Sequence, residues 1–425
     1  MTTHLPLPED RAGDPAPWTY RRVLAVGEFR VLLAAEILAV LGLVAAQVTL
    51  SVLIYQRTGS PLLSALTFTL GFVPHLLGAV LLSSVTDRFP ARGLLVVTQG
   101  VSAGLMAAMA LPGAPIPVLL GLLAISGAIA PVYQGARAAS LPDILAPAGF
   151  ALGRSLLRMA GQTAQITGFA FGGALLLAVP PGIALLTGAG ALALSALLLG
   201  AGMRGRPARL AAERSAAAAP AAVLRDSLAG VRDAMAAPLL RTLLLLGWLP
   251  PAFAVAAEAL AAPLADRLGG GSLTVGLLLA AAPVGIVAGE LAVGSLLPPE
   301  RRQRWTVGLA VLVFAPLPLF ALAPAPAAAV ALLVVSGLGY GYTLGLDQRL
   351  LDAVPEEARG RVLSLASAGL MVVQGLGFAA AGAVAEAVAP QLVVASAGAA
   401  GLAVVGWLGA ALRRSGRSAP PGGAS

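Results

Sequence analysis

Apolar runs of about twenty residues follow one another along almost the whole chain, and the gaps between them are short. A bilayer core of ~30 Å is crossed by ~20 apolar residues rising 1.5 Å each. Lipid offers no partner for backbone N–H and C=O groups, so each run must be an α-helix. The runs lie near 30–55, 62–84, 93–113, 115–138, 151–178, 181–202, 240–264, 273–297, 304–323, 326–348, 361–387 and 389–412. This predicts an all-α integral membrane protein with twelve transmembrane helices, and the even number puts both termini on one side. Hydrophobic residues make up 58% of the chain and charged residues only 11%, which excludes a soluble domain carrying one anchor. Residues 1–28 are polar, and the first apolar run is too long for a cleaved signal peptide, so it is expected to stay as a span.

The formal net charge of +8 would suggest nucleic acid on a soluble surface. Here the charges fall in short gaps, where they set topology instead. With the N-terminus inside, the inner gaps hold Arg88, Arg92, Arg137, Arg154, Arg301, Arg302, Arg304, Arg349, Arg359 and Arg361. The outer gaps hold only Arg57 and Arg267. Both termini are therefore expected in the cytoplasm, with the protein multi-pass in the inner (plasma) membrane. No Cys is present and the two histidines, His4 and His75, are far apart, so neither a metal site nor a cofactor is expected. There is no P-loop and no Ser/His/Asp set, so neither ATP hydrolysis nor an enzyme activity is expected.

An internal repeat organises the chain. "QITGFAFGGA" at 165–174 and "QGLGFAAAGA" at 374–383 share the pattern Q-x-x-G-F-A-x-x-G-A at an offset of 209 residues. At the same offset Leu141 and Asp143 meet Leu350 and Asp352, while Pro90 and Arg92 meet Pro299 and Arg301. Two six-helix halves in parallel orientation follow, with a binding site between them near mid-membrane. The divisions expected are a cytoplasmic tail (1–28), a first half (29–202), a cytoplasmic linker (203–239), a second half (240–412) and a closing tail (413–425). Within the linker, Val223, Leu224, Leu228 and Val231 recur at helical spacing, which fits either an amphipathic surface helix or a solvated spacer.

The gap after the second run reads Ser83-x-x-x-Asp87-Arg88-x-Pro90-Ala91-Arg92. It resembles the G-x-x-x-D-R-x-G-R-R loop signature of the major facilitator superfamily, with both glycines and one basic position replaced. The stretches "RAASLPDILAP" and "VPEEARGRVLSLASAG" resemble the drug:proton antiporter branch that includes macrolide and enterobactin exporters. That branch's G-P-x-x-G-G motif is Gly168-Phe169-x-x-Gly172-Gly173 here, and its R-x-x-Q-G motif survives only as Gln134-Gly135, with Pro131 at the Arg position. The resemblance implies that Asp87, Arg88 and Arg92 gate the two halves; their bland role is to anchor topology.

Ionisable groups inside spans are functional candidates by default. Glu258 stands past a Pro250-Pro251 break in span seven, with no basic residue within eight positions. It is either a proton-coupling and substrate group or a structural hydrogen-bonding one. Glu36, about 10 Å into span one, is a further proton-coupling or substrate candidate; it could instead pair with Arg158 of span five, or Arg158 could snorkel to the interface beside Arg154. His75 beside Pro74 could titrate or simply pack. Gln165, Gly168, Gly172, Gly173, Gln374, Gly377 and Gly382 either line the contact between halves or serve generic small-residue packing. Tyr133, Gln134, Trp248, Tyr340 and Tyr342 are candidates for cavity lining or for interfacial anchors. Together these features predict a monomeric secondary transporter that exports amphipathic small molecules against protons. The alternatives are a dedicated exporter of one metabolite, such as a siderophore or antibiotic, and a transport-inactive scaffold or sensor.

Overall fold

The computed structural model describes residues 18–81, 89–145, 147–206, 235–355 and 359–417, and all its regular elements are helical. Asp87, Arg88 and the expected linker helix lie outside these residues. A short helix, Tyr20–Ala25, opens the chain under an N-cap at Thr19. The long helices are α1 (Gly27–Thr58), α2 (Pro61–Leu81), α3 (Ala91–Met109), α4 (Ile116–Ile144), α5 (Pro147–Ala178) and α6 (Pro181–Gly202). They continue as α7 (Pro238–Ala254), α8 (Ser272–Leu296), α9 (Pro299–Phe314), α10 (Pro326–Leu338), α11 (Arg359–Ala385) and α12 (Pro390–Arg417). Among the described residues ten stretches are long and apolar enough to cross a membrane. The helices α2 and α5, of 21 and 32 residues, lie outside that set. Large apolar side chains such as Leu197, Leu291, Leu322 and Trp407 face outward, as they do where the solvent is lipid.

Helix ends follow local chemistry. Gly59, at φ 66°, closes α1 in the left-handed region, so α2 starts two residues later at Pro61. Several helices outrun their apolar runs on the side where α1 begins and α12 ends: α4 continues to Ile144, and α9 begins at Pro299, before the three arginines expected in a gap. Water satisfies charged side chains there without ending the helix.

This side is called the terminal face, and the other the far face. Within the first group α1 packs on α5 and α6, α3 on α4 and α6, and α2 on α4; within the second, α7 packs on α11 and α12 and α8 on α10. Two helix pairs, α2 with α11 and α5 with α8, join the groups. On the terminal face Glu28 accepts both guanidinium nitrogens of Arg206, at 2.5 and 2.8 Å, and the Arg204 N–H at 3.0 Å. This ties the chain after α6 to the start of α1 and raises the Arg206 pKa above its ordinary value.

Candidate transport site

Close approach at small residues sets the seam between the groups. A Cβ on Gly173 would stand 2.6 Å from the Ser272 carbonyl oxygen and 2.8 Å from the Gly276 Cα, so α5 and α8 touch backbone to backbone. A Cβ on Gly382 would lie 2.7 Å from Ala65 Cβ and 2.9 Å from Leu62 Cα on α2. Next to it Phe378 stacks on Phe68 and Phe72, with ring centroids 5.3 and 5.4 Å apart. Gly168, Gly172 and Gly377, expected on the same seam, instead pack inside their own groups. Gly168 and Gly172 meet Val44 and Ala45 of α1, and Gly377 meets the Ala252 carbonyl of α7. A glycine-rich helix presents small residues on more than one side, and the pattern alone does not say which side faces which neighbour.

The far face is sealed by polar contacts as well. Glu386, just past α11, accepts the Ser60 hydroxyl at 2.5 Å and the Leu62 N–H at 3.0 Å, capping the N-terminus of α2 from the other group. Tyr55 stands beside Asp266 on the same face.

Below this seal lies a cavity of about 160 Å³ to which both groups contribute. Gln162 and Gln165 come from α5, Glu258 and Ala257 from the break after α7, Tyr340 from the turn after α10, and Gln374 from α11. The expected break at Pro250-Pro251 falls later: α7 runs through both prolines and ends at Ala254, and Glu258 occupies the separate turn Ala256–Ala259. Proline φ suits a helix, and the cost lies in carbonyls left without donors. One of these, on Leu246, meets the Tyr342 hydroxyl at 3.5 Å.

Gln162 and Gln165 also line a second cavity of about 950 Å³. Its walls are the terminal-face portions of α1, α4 and α5, including Glu36, Gln134, Arg137, Phe150, Arg154 and Arg158. Glu36 forms an ion pair with Arg137 and accepts the Tyr133 hydroxyl at 3.1 Å. This corrects the expected Glu36–Arg158 pairing. Arg137 is a residue of α4, not of a loop, and α4 presents it directly to α1. Behind the pair, a third cavity of about 130 Å³ reaches Tyr133 and Gln99. Gln99 donates to Ser195 at 3.0 Å, and Ser195 donates to the Ala35 carbonyl at 2.9 Å.

Glu258, Gln165, Gln374 and Tyr340 are thus brought together, and Glu36, Tyr133 and Gln134 line the adjoining space. Trp248 and Tyr342 are used elsewhere: the Trp248 indole donates to the Ala366 carbonyl at 2.8 Å, and Tyr342 is only 1% exposed. Both serve the core of the second group. His75 is buried in α2 and lines none of the three cavities. Arg92 donates to the Gly200 carbonyl, pinning α3 to α6 within one group. Arg137, Gln162 and Glu386 are the residues that sequence reasoning passed over. A basic residue three positions after Gln134 was a usable signal for the first.

With this geometry in view, the chain belongs to the Major Facilitator Superfamily, whose family model matches residues 32–352. It is a multi-pass membrane protein with the fold of transporters rather than of an enzyme. No curated protein matches it in sequence. Among solved structures it resembles a peptide transporter POT in complex with sulfate, at 14% identity and a TM-score of 0.69, covering 94% of this chain and 99% of that one. A bacterial homologue of the iron transporter ferroportin in the inward-facing state aligns at 17% identity and a TM-score of 0.64, covering 91% and 98%. A bacterial homolog of the human lysosomal transporter Spinster, inward-facing and unoccupied, aligns at 18% and 0.62, covering 91% and 95%. At such identities the likeness is one of fold.

Proposed function

We propose that the protein is a twelve-span secondary transporter of drug:proton antiporter type, which exports amphipathic small molecules by alternating access. Two parallel six-helix repeats, 29–202 and 240–412, rock about the seam; the terminal face, with both tails and the 203–239 linker, is cytoplasmic. Residues at the 209 offset behave alike, which supports the repeat. Gly168 and Gly377 pack within their groups, Gly173 and Gly382 across the seam, and Gln165 and Gln374 line one cavity.

One observation carries the reading. Glu258, with no ion-pair partner among the described residues, shares a cavity with glutamines from both repeats, and that cavity adjoins a large space on the terminal face. A carboxylate so placed can hold a proton or a cationic group in turn, and the seal at Gly173, Phe378 and Glu386 supports reading this as the inward-facing state. In proteoliposomes under an imposed pH gradient, Glu258→Gln is expected to abolish gradient-driven accumulation while substrate still equilibrates downhill. Wild-type accumulation with the wild-type pH dependence would remove Glu258 as the coupling group. For sidedness, a Cys at Ala325 of this Cys-free chain is expected to react with an impermeant reagent outside cells, and one at Ala212 is not; the reverse pattern inverts the topology.

A further inference from the structure

We infer that the transported molecule is amphoteric, with a cationic end held at Glu258 and an anionic end held at Arg158 and Arg154. This rests on the reading of the two joined cavities as the transport path, and it adds the charge pattern of the ligand.

The two cavities share Gln162 and Gln165 and carry opposite charges at their ends. In the large cavity Glu36 is already matched by Arg137. Arg154 and Arg158 remain exposed on its wall, and among the described residues neither has a carboxylate within ion-pair distance. Glu290 of α8 lies within electrostatic reach of Arg158, with Asp347 near it in turn, so the opening is charged on both sides without being bridged. Along α5, Arg158 and Gln165 are seven residues apart, about 10 Å of helix rise. Leu157 and Phe150 add apolar surface to the wall of the larger cavity, and the glutamine amides supply donors and acceptors.

A simple cation reaching Glu258 must pass Arg154 and Arg158, whose charge is opposed only across a gap, by Glu290 near Arg158. A simple anion held by those arginines gains nothing from the deeper cavity and is repelled by an ionised Glu258. A molecule carrying both charges satisfies both ends at once. The arrangement also yields exchange. The cationic end and the proton compete for one carboxylate, whereas a lone anion binds better once Glu258 is protonated and gives cotransport instead. The larger cavity alone is of a size to hold a drug-sized molecule.

The test uses three fluorescent probes with one ring system: ciprofloxacin, which carries an ammonium and a carboxylate at opposite ends; its ethyl ester, which keeps the cation; and its N-acetyl derivative, which keeps the anion. Binding to the purified full chain is read by fluorescence anisotropy, and flux in proteoliposomes of phosphatidylcholine. Ciprofloxacin is expected to bind about ten- to hundredfold tighter than either analogue, the loss expected for one charge-assisted contact. Arg158→Gln is expected to weaken ciprofloxacin and the N-acetyl compound by about tenfold or more and to move the ester by less than about twofold. Glu258→Gln should show the mirror pattern, and Arg158→Lys should retain most of the affinity, which separates charge from folding. An ester that binds as tightly as ciprofloxacin, or an Arg158→Gln variant that weakens all three probes equally, overturns the amphoteric class while leaving the transport path standing. If none of the three binds or crosses, the path and the class fall together. If phosphatidylglycerol in the vesicles displaces ciprofloxacin from the wild type but not from Arg158→Gln, the arginines hold a lipid headgroup and the proposal fails.

Discussion

The two ends of the helix pair α5 and α8 are built on opposite principles. On the far face the helices meet at Gly173 and Gly276, with no side chain between them. Toward the terminal face the same helices carry Arg154, Arg158 and Glu290, and α5 borders a cavity of about 950 Å³. Contact through bare backbone is dry and short-ranged, so it holds only while the helices touch. Opposed charges act across several ångströms and tolerate water. The far face is therefore the end that can be jammed by one methyl group, and the terminal face is the end whose behaviour depends on charge.

The largest expected effect comes from breaking the close contact. Gly173→Leu puts a side chain where a Cβ already collides with Ser272 and Gly276, so the far face is expected to stay open and transport to fall by more than about tenfold. A Cys at Ala257, which lines the central cavity, should then react with an impermeant maleimide from the far face. Unchanged labelling would show that the seam lies elsewhere. Next in size is the ion pair behind the charged wall. Glu36→Gln leaves Arg137 largely buried without its carboxylate, and a loss of about 2–4 kcal/mol is expected, below the figure for a fully buried pair because the Arg137 side chain is 27% exposed. Thermal unfolding in detergent reads this, and Arg137→Gln should match it while Arg158→Gln does not. A weaker effect is expected for Glu386→Gln. The contacts it loses are exposed and worth about 1 kcal/mol, enough to shift the far-face equilibrium about fivefold; spin-label distances across the far face would register the shift. Smallest in its effect on transport is Glu28→Gln on the terminal face, where a part-buried bidentate pair should cost about 1 kcal/mol of stability and leave transport rates unchanged.

Much of the fold was legible because lipid leaves the backbone no choice. Each apolar run had to be a helix, and the short gaps between runs had to be their ends. The grouping of Glu258 with Gln165 and Gln374 was legible in part, since the repeat gave the two glutamines the same depth. The partner of Glu36 was not. Choosing between Arg137 and Arg158 requires the rotation of α1 about its axis, and a helix that is apolar on nearly every side does not encode it. Trp248 and Tyr342 were misread for a related reason, because an aromatic ring suits a cavity wall or a core equally well and only the neighbouring carbonyls decide. Glu386 was overlooked because a carboxylate in a surface turn looks solvated until the N-terminus of α2 is brought against it.

The Gly173–Gly276 contact also sets a scale of movement. It lies near one end of a long, stiff rod, and Arg154 lies 19 residues away along α5, about 28 Å at 1.5 Å per residue. While that seal stays closed, a rotation of about 10° pivoting on it would sweep Arg154 through about 5 Å, and opening the far face is the separate step in which the glycines part. The lever arm thus turns a displacement smaller than a bond length into one large enough to open or close a passage. The stroke is set by how near two backbones can come, and every atom added at residue 173 shortens it.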